Sequence, residues 1–282
     1  MSKRDLSWNE AKYKRWIKEK RGMGTGENYR PFLTMHDLPS IGRVSRGPGW
    51  KTSRLHHTFS DLETNFFYCL EWIDEVIDIR EQFPMDLKLT MWIAGKLGID
   101  YPQDKTSGTP YVLTTDFLTT CYTGRGESLA AYQVKPAEKL EDPEVLARLE
   151  IERRHWEQKG IPWYLVTEHN IPIVLAKNVG WFHEFYWLNP TEELSVKDQL
   201  EAGEMLKERL ANSNASINTV TKALDRELNV MSGTAIKVFS YLLARKEISM
   251  DMNSKIHLGL SASMITNITF RDTQREGALW GA

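Results

Sequence analysis

Cysteine is nearly absent from this chain of 282 residues, which has only Cys69 and Cys121. With no CxxC pair and no Cys/His cluster, a zinc knuckle and a disulfide scaffold are both excluded, and a reducing compartment fits best. Long hydrophobic runs are missing too, and nothing approaches the roughly 20 apolar residues needed to span a bilayer. The first twenty residues are charged throughout and have no apolar core of the secretory type. A cytoplasmic protein without membrane contact is expected. An excess of one charge is also lacking: the formal charge is -2 and the pI about 6.4. This is not a generally basic nucleic-acid binder, so any DNA contact must come from a local patch. No internal repeat or low-complexity tract is present.

The chain does have enough apolar material for a packed interior, with 41% hydrophobic and 11% aromatic residues. Its length suggests two units rather than one. The charge is unevenly placed. Residues 1–60 carry thirteen lysines and arginines against five acids, a local net of +8, which leaves about -10 on the other 222. Lys12, Lys14 and Arg15, together with Arg54 and His57, are the candidate DNA-backbone contacts. The bland reading of the basic run at 12–16 is a solvated helix face.

The periodicities predict a short basic helix over about 8–21 and an irregular Pro/Gly-rich arm with one short strand around 43–46. Ser60 is a candidate N-cap for a helix to about Glu75, followed by a strand from Val76 to Phe83 and a helical turn at Met91 to Leu97. Strands at Tyr111–Thr119 and Leu129–Lys135 flank Thr123-Gly124-Arg125-Gly126 as a hairpin. Asp142-Pro143-Glu144 opens a long helix to about Lys159, and a strand follows at Ile161 to Thr167. This order matches a restriction-endonuclease-like α/β (α+β) core, a mixed sheet flanked by helices. Beyond it, helices at 192–211, 215–229 and 233–246 and a hairpin within Glu247–Leu258 suggest a mostly helical, winged-helix-like unit. The expected division is a catalytic domain with a basic arm at 1–170, an interaction domain at 171–258 and a loosely structured tail at 259–282.

Charged residues interrupt segments that otherwise read as buried. Glu63 lies three residues after Ser60, the spacing of a capping box. It also shares a stripe with Phe67 and Leu70, which borders the buried face. Asp116 interrupts an apolar strand, where a lone aspartate is ordinarily an edge or exposed residue. Lys135 ends another strand, where lysine is ordinarily solvated. The three together have a different meaning. Carboxylates that hold Mg²⁺, with a cation near the attacking water, are what phosphodiester hydrolysis requires. Gln133 through its side chain and Val134 through its carbonyl could add oxygen ligands. The adjacent His56 and His57 should point to opposite faces, and Arg80 and Glu81 are read as an ion pair.

The segments Leu55-His56-His57, Ser60-Asp61-Leu62-Glu63, Leu70-Glu71-Trp72, Asp78-Ile79-Arg80-Glu81-Gln82-Phe83-Pro84, Thr115-Asp116-Phe117, Gln133-Val134-Lys135-Pro136-Ala137, Leu149-Glu150-Ile151-Glu152-Arg153-Arg154 and Ile161-Pro162-Trp163 resemble the TnsA family, in matching order over about residues 10–168. These are the endonuclease subunits of heteromeric cut-and-paste bacterial transposases. The resemblance implies a catalytic set on Glu63, Asp116, Gln133 and Lys135, with Glu152 supporting a second metal. Gln133 departs from the acid of the wider PD-(D/E)xK superfamily and agrees with TnsA. The resemblance further implies Mg²⁺ as cofactor, with Mn²⁺ as a substitute, and 5′-strand cutting at transposon ends. The implied partners are a DDE-type transposase, TnsB, and an ATPase regulator, TnsC, which contacts the C-terminal part. Two rivals stay open. One is a restriction- or repair-type nuclease of the same fold acting alone. The other is a catalytically inert DNA-binding scaffold.

Overall fold

Four strands organise the first of two units, Met1–Ile173 and Val174–Ala282, in a computed structural model that describes residues 7–37 and 45–270. They are β3 (Val76–Pro84), β4 (Thr114–Tyr122), β5 (Glu127–Val134) and β6 (Trp163–Val166), in the order β3-β4-β5-β6. β3 to β5 are antiparallel and β6 joins β5 in parallel, so the sheet is mixed, as expected. Helices cover both faces. On one, Phe66 and Phe67 of α2 (Asp61–Trp72) pack on Phe117, with ring centroids 5.9 and 6.5 Å apart, and Phe66 reaches Tyr132 at 5.2 Å. On the other, Trp156 of α4 (Pro143–Gln158) packs with Leu118, Ala131 and Met85. The alternation of side chains along β4 and β5 sends Phe117 and Tyr132 one way and Leu118 and Ala131 the other.

Local chemistry sets the helix starts. Ser60 Oγ accepts the Glu63 N–H at 3.1 Å, and Asp142 caps α4 just before Pro143. α3 (Leu87–Leu97) begins at Asp86, whose side chain accepts from the Leu89 N–H, and ends on Gly98 in the left-handed region. Ile93 and Ala94 of α3 pack on Ile151 of α4.

The N-terminal arm is a packed layer. Trp16 of α1 (Glu10–Lys18) is buried with Trp8 and Phe32, and the Trp8 Nε1–H donates to Pro110 O. β1 (Ser45–Pro48) pairs antiparallel with β2 (Leu55–Thr58). The short strand expected at 43–46 thus begins within that span and continues to Pro48, while residues 43 and 44 lie outside the described residues. The β2 partner strand was not anticipated. It turns His56 into the core and leaves His57 half-buried, on opposite faces as expected.

The second unit contains α5 (Ile173–Phe182), α6 (Val196–Ala211), α7 (Ile217–Glu227) and α8 (Thr234–Ala244), with β7 (Ile248–Met250) and β8 (Ile265–Ile268) as a small antiparallel sheet. Helices α6, α7 and α8 with a two-stranded sheet agree with the winged-helix-like expectation. Two corrections apply. The expected hairpin within Glu247–Leu258 is not formed, because β7 pairs with a strand fourteen residues further on. The chain from 259 is therefore not a loose tail as far as the described residues extend. Lys207, fully buried in α6, ties this end down by donating to Glu247 Oε2 at 3.0 Å and Thr269 O at 2.8 Å. Residues 271–282 lie outside the described residues.

Candidate active site

The candidate acids meet where β4 and β5 separate. The strands pair from Phe117↔Tyr132 outward to Tyr122↔Glu127. Before Phe117 the backbone ladder is replaced by side chains. The Asp116 N–H donates to Gln133 Oε1 at 3.2 Å, and the Val134 N–H donates to Asp116 Oδ2 at 2.8 Å. Main-chain donors in a buried gap need acceptors, and here the acceptors are the candidate functional groups themselves.

Asp116 is held from three sides. Gln82 Nε2 donates to its Oδ1 at 3.2 Å, while Lys135 Nζ lies 3.5 Å from Oδ2 and donates to Val134 O at 3.1 Å. Glu63, at the start of α2, accepts from the Phe59 N–H and Ser60 Oγ, both at 2.9 Å. The capping reading is thus half right: Ser60 caps the helix, but the glutamate reaches back to Phe59. Burial first, and then the charge of Asp116, push the Glu63 carboxyl up to about 7. Glu152 of α4 accepts from Thr115 Oγ1 at 2.7 Å and Trp163 Nε1 at 3.0 Å, and burial pushes it up to about 8. Burial alone would pull Lys135 down, yet Asp116, Glu152 and Glu63 together hold its ammonium above the ordinary lysine value.

Glu63, Asp116, Gln133, Val134, Lys135 and Glu152 therefore form one constellation assembled from α2, β4, β5 and α4. A cavity of about 220 Å³ borders Gln133, Lys135 and Glu152. A larger one of about 700 Å³, lined by residues such as Phe83, Leu118 and Trp156, contains none of the clustered acids.

The donor set suits a hard divalent cation, since the carboxylates of Glu63 and Asp116, Gln133 Oε1 and Val134 O are all oxygen. Among the described residues no group of three or more His, Cys, Asp and Glu side chains is arranged around a common metal position. A metal here would rest on two carboxylates completed by amide and carbonyl oxygens. The Glu63 carboxyl is raised first by burial and then by the charge of Asp116, and a divalent cation held between the two acids would offset both. Gln133 Oε1 keeps one lone pair beyond the Asp116 N–H.

The DNA-contact candidates divide. Lys14 and Arg15 project from α1 with side chains 72% and 63% exposed, each beside an acid, Glu10 and Glu19. Lys12 Nζ donates to Ser7 O and lies 5.4 Å from the Trp16 ring centre. Arg54 is a correction. Its guanidinium is buried on Glu81, with NH1 to Oε1 at 2.7 Å and NH2 to Oε2 at 2.5 Å, and donates again to Ile79 O. His56 Nδ1 shares the same carboxylate at 2.8 Å. Although burial opposes its charge, His56 and Arg54 hold Glu81 well below the usual carboxylate range. Arg80 pairs instead with Asp78 at 3.3 Å, so Arg80 and Glu81 do not form the expected pair. His57 is shifted toward its neutral form by burial and by Arg46, Arg54 and His36, against Glu81.

Sequence reasoning assigned no role to Gln82, Thr115 or Trp163, which orient Asp116 and Glu152. Their functions depend on a fold that brings distant segments together.

Comparisons with known proteins agree with this architecture. Residues 74–168 match the family described as TnsA-like endonuclease N terminal, and residues 170–252 match TnsA endonuclease C terminal. The first span includes Asp116, Gln133, Val134, Lys135 and Glu152, and Glu63 precedes it. The Escherichia coli protein "Transposon Tn7 transposition protein TnsA" is 38% identical over 244 residues, covering 86% of this chain and 87% of that protein. The chain belongs to the TnsA family of transposition endonucleases.

Proposed function

We propose that this protein is a Mg²⁺-dependent endonuclease that cuts the 5′ strands at transposon ends as a subunit of a heteromeric transposase. Family membership supports the transposition endonuclease, and the constellation supports the metal. The observation that carries the reading is the placement of Glu63, Asp116 and Lys135 in one electrostatic cluster, although α2, β4 and β5 deliver them separately.

Mg²⁺ would supply Lewis-acid polarisation of the phosphodiester and make a nearby water more acidic. The chain's own groups do the rest. Glu63 and Asp116 would hold the ion, with Gln133 Oε1 and Val134 O beside them and Glu152 in reserve for a second. Lys135 presents an ammonium to the attacking water and to charge developing on phosphate. The exposed Lys14 and Arg15 offer phosphate contacts that carry no base information. A DDE-type transposase of the TnsB kind would cut the opposite strands, and an ATPase regulator of the TnsC kind would engage the Val174–Ala282 unit.

The test is end cutting in a reaction reconstituted with those partners. Asp116→Ala and Glu63→Gln should abolish 5′-strand nicking while the variants stay folded and assembled. Glu63→Gln keeps one acceptor oxygen and gives up one of the Phe59 and Ser60 bonds, so the stability loss should stay within about 1 kcal/mol. Normal nicking by the folded Glu63→Gln variant would exclude the assignment. Cutting of the same ends by the purified chain without partners would favour a nuclease that acts alone.

A further inference from the structure

We propose that Gln82 is the positioning residue that presets the Asp116 carboxylate, an inference that rests on the reading of Asp116 as a metal-holding group. Gln82 lies inside β3 with φ +48°, the left-handed region that side-chain-bearing residues rarely adopt in a strand. The ladder with β4 keeps one register on either side, Glu81↔Phe117 and Phe83↔Thr115, and skips the Gln82/Asp116 step between them. The departure is thus local, and it occurs directly opposite the central acid. Such outliers persist where the surroundings over-determine them, and they cluster at functional sites.

What the unusual backbone achieves is visible in the side chain. Gln82 is buried, and both ends of its amide are used. Thr114 Oγ1 donates to its Oε1 at 2.9 Å, which leaves the NH₂ end facing Asp116 Oδ1 at 3.2 Å. The Phe32 N–H donates to the Gln82 carbonyl at 3.3 Å and helps to fix the main chain. Because the Val134 N–H and Lys135 hold Oδ2, each oxygen of Asp116 has its own donor and the carboxylate cannot swing. Glycine would take φ +48° without steric cost, so the backbone alone does not call for glutamine. The amide is the part the site uses, in a relay from Thr114 through Gln82 to Asp116.

The experiment uses the full chain with Mn²⁺ as the probe, titrated by electron paramagnetic resonance, alongside thermal melting and end cutting in the reconstituted reaction. Gln82→Gly keeps the backbone conformation and removes the amide. It should melt close to the parent temperature, bind Mn²⁺ about 10–100-fold more weakly, and nick correspondingly more slowly. Thr114→Val frees the amide to turn without touching the β3 backbone. It should weaken Mn²⁺ in the same direction by less, and it carries the test if Gln82→Gly fails to fold. Parental Mn²⁺ affinity and nicking in the folded variants would overturn the proposal. Asp116→Asn separates the two levels. If it abolishes Mn²⁺ binding while Gln82→Gly and Thr114→Val bind normally, only the positioning role falls. If it binds Mn²⁺ normally, the metal reading itself falls, and the role of Gln82 with it.

Discussion

The Val134 N–H donates to Asp116 Oδ2 at 2.8 Å across the gap where β4 and β5 stop pairing. A main-chain donor that would otherwise belong to the sheet is spent on the acid next to Lys135. The position of Asp116 is therefore set by the backbone of the strand that carries Lys135, and the two charged groups cannot drift apart independently. Substitutions at one should be read with the other held in place.

Lys135 should matter for chemistry more than for metal. Its ammonium lies against Asp116 Oδ2 and Val134 O, and the side chain as a whole is 32% exposed. Lys135→Ala should still bind Mn²⁺, because it deletes no oxygen donor, yet cut orders of magnitude more slowly at saturating Mg²⁺. Metal titration beside single-turnover rates checks this. Lost metal binding with an unchanged rate would contradict the role.

The raised carboxyls of Glu63 and Glu152 give a pH signature. An unfolded glutamate titrates near about 4.3, whereas these folded groups titrate at about 7 and about 8. Between those values the folded chain binds more protons than the unfolded one, so stability falls as pH rises. The contribution is complete below the unfolded value and is lost on passing the folded ones. In EDTA, melting temperature should drop from pH 5 to pH 8. Glu152→Gln should flatten part of that drop, and Mg²⁺ should offset part of it. An identical slope for Glu152→Gln and the parent would show that Glu152 ionises normally.

How much of this was legible in the sequence depended on whether a residue's role was local. Asp116 and Lys135 stood out because charge interrupts a strand pattern, and Asp142-Pro143 announced α4 because caps act within one turn. Arg54 was misread for the opposite reason. Its partner Glu81 is 27 residues away, and basic residues counted along the chain look like surface charge until the fold buries one. β8 was missed because alternation around Asp251 looked like a finished hairpin, while its real partner lies beyond a long loop. Gln82 falls in a segment that carries the TnsA resemblance, but nothing in the sequence signals its backbone conformation or its role, since glutamine has no preference for the left-handed region.

The Arg54–Glu81–His56 cluster should behave as structure. Removing one partner of a buried ion pair leaves the other charge stranded, so Arg54→Ala should cost about 3–5 kcal/mol. Pairing it with Glu81→Gln should recover a substantial part of that loss. Chemical denaturation of the two single variants and the double variant measures the coupling. An Arg54→Ala variant with parental stability and weakened DNA binding would restore the DNA-contact reading that the buried geometry opposes.

The last prediction concerns the division of labour between the units. β6, the last strand of the mixed sheet, ends at Val166, and the whole constellation from Glu63 to Glu152 lies within Met1–Ile173. Fragment 1–173 should therefore fold alone and bind Mn²⁺, since every oxygen donor and both donors to Asp116 Oδ2 remain. Fragment 174–282 should also fold, because α6, α7 and α8 pack mutually and β7 has its partner in β8. If the second unit is the docking module for the ATPase regulator, a pull-down should retain the regulator on 174–282 and not on 1–173. End cutting with 1–173 in place of the full chain should then fall for lack of recruitment, with its metal binding unchanged. Retention of the regulator by 1–173 as tightly as by the full chain would place the docking surface on the nuclease unit and leave the helical unit with another task.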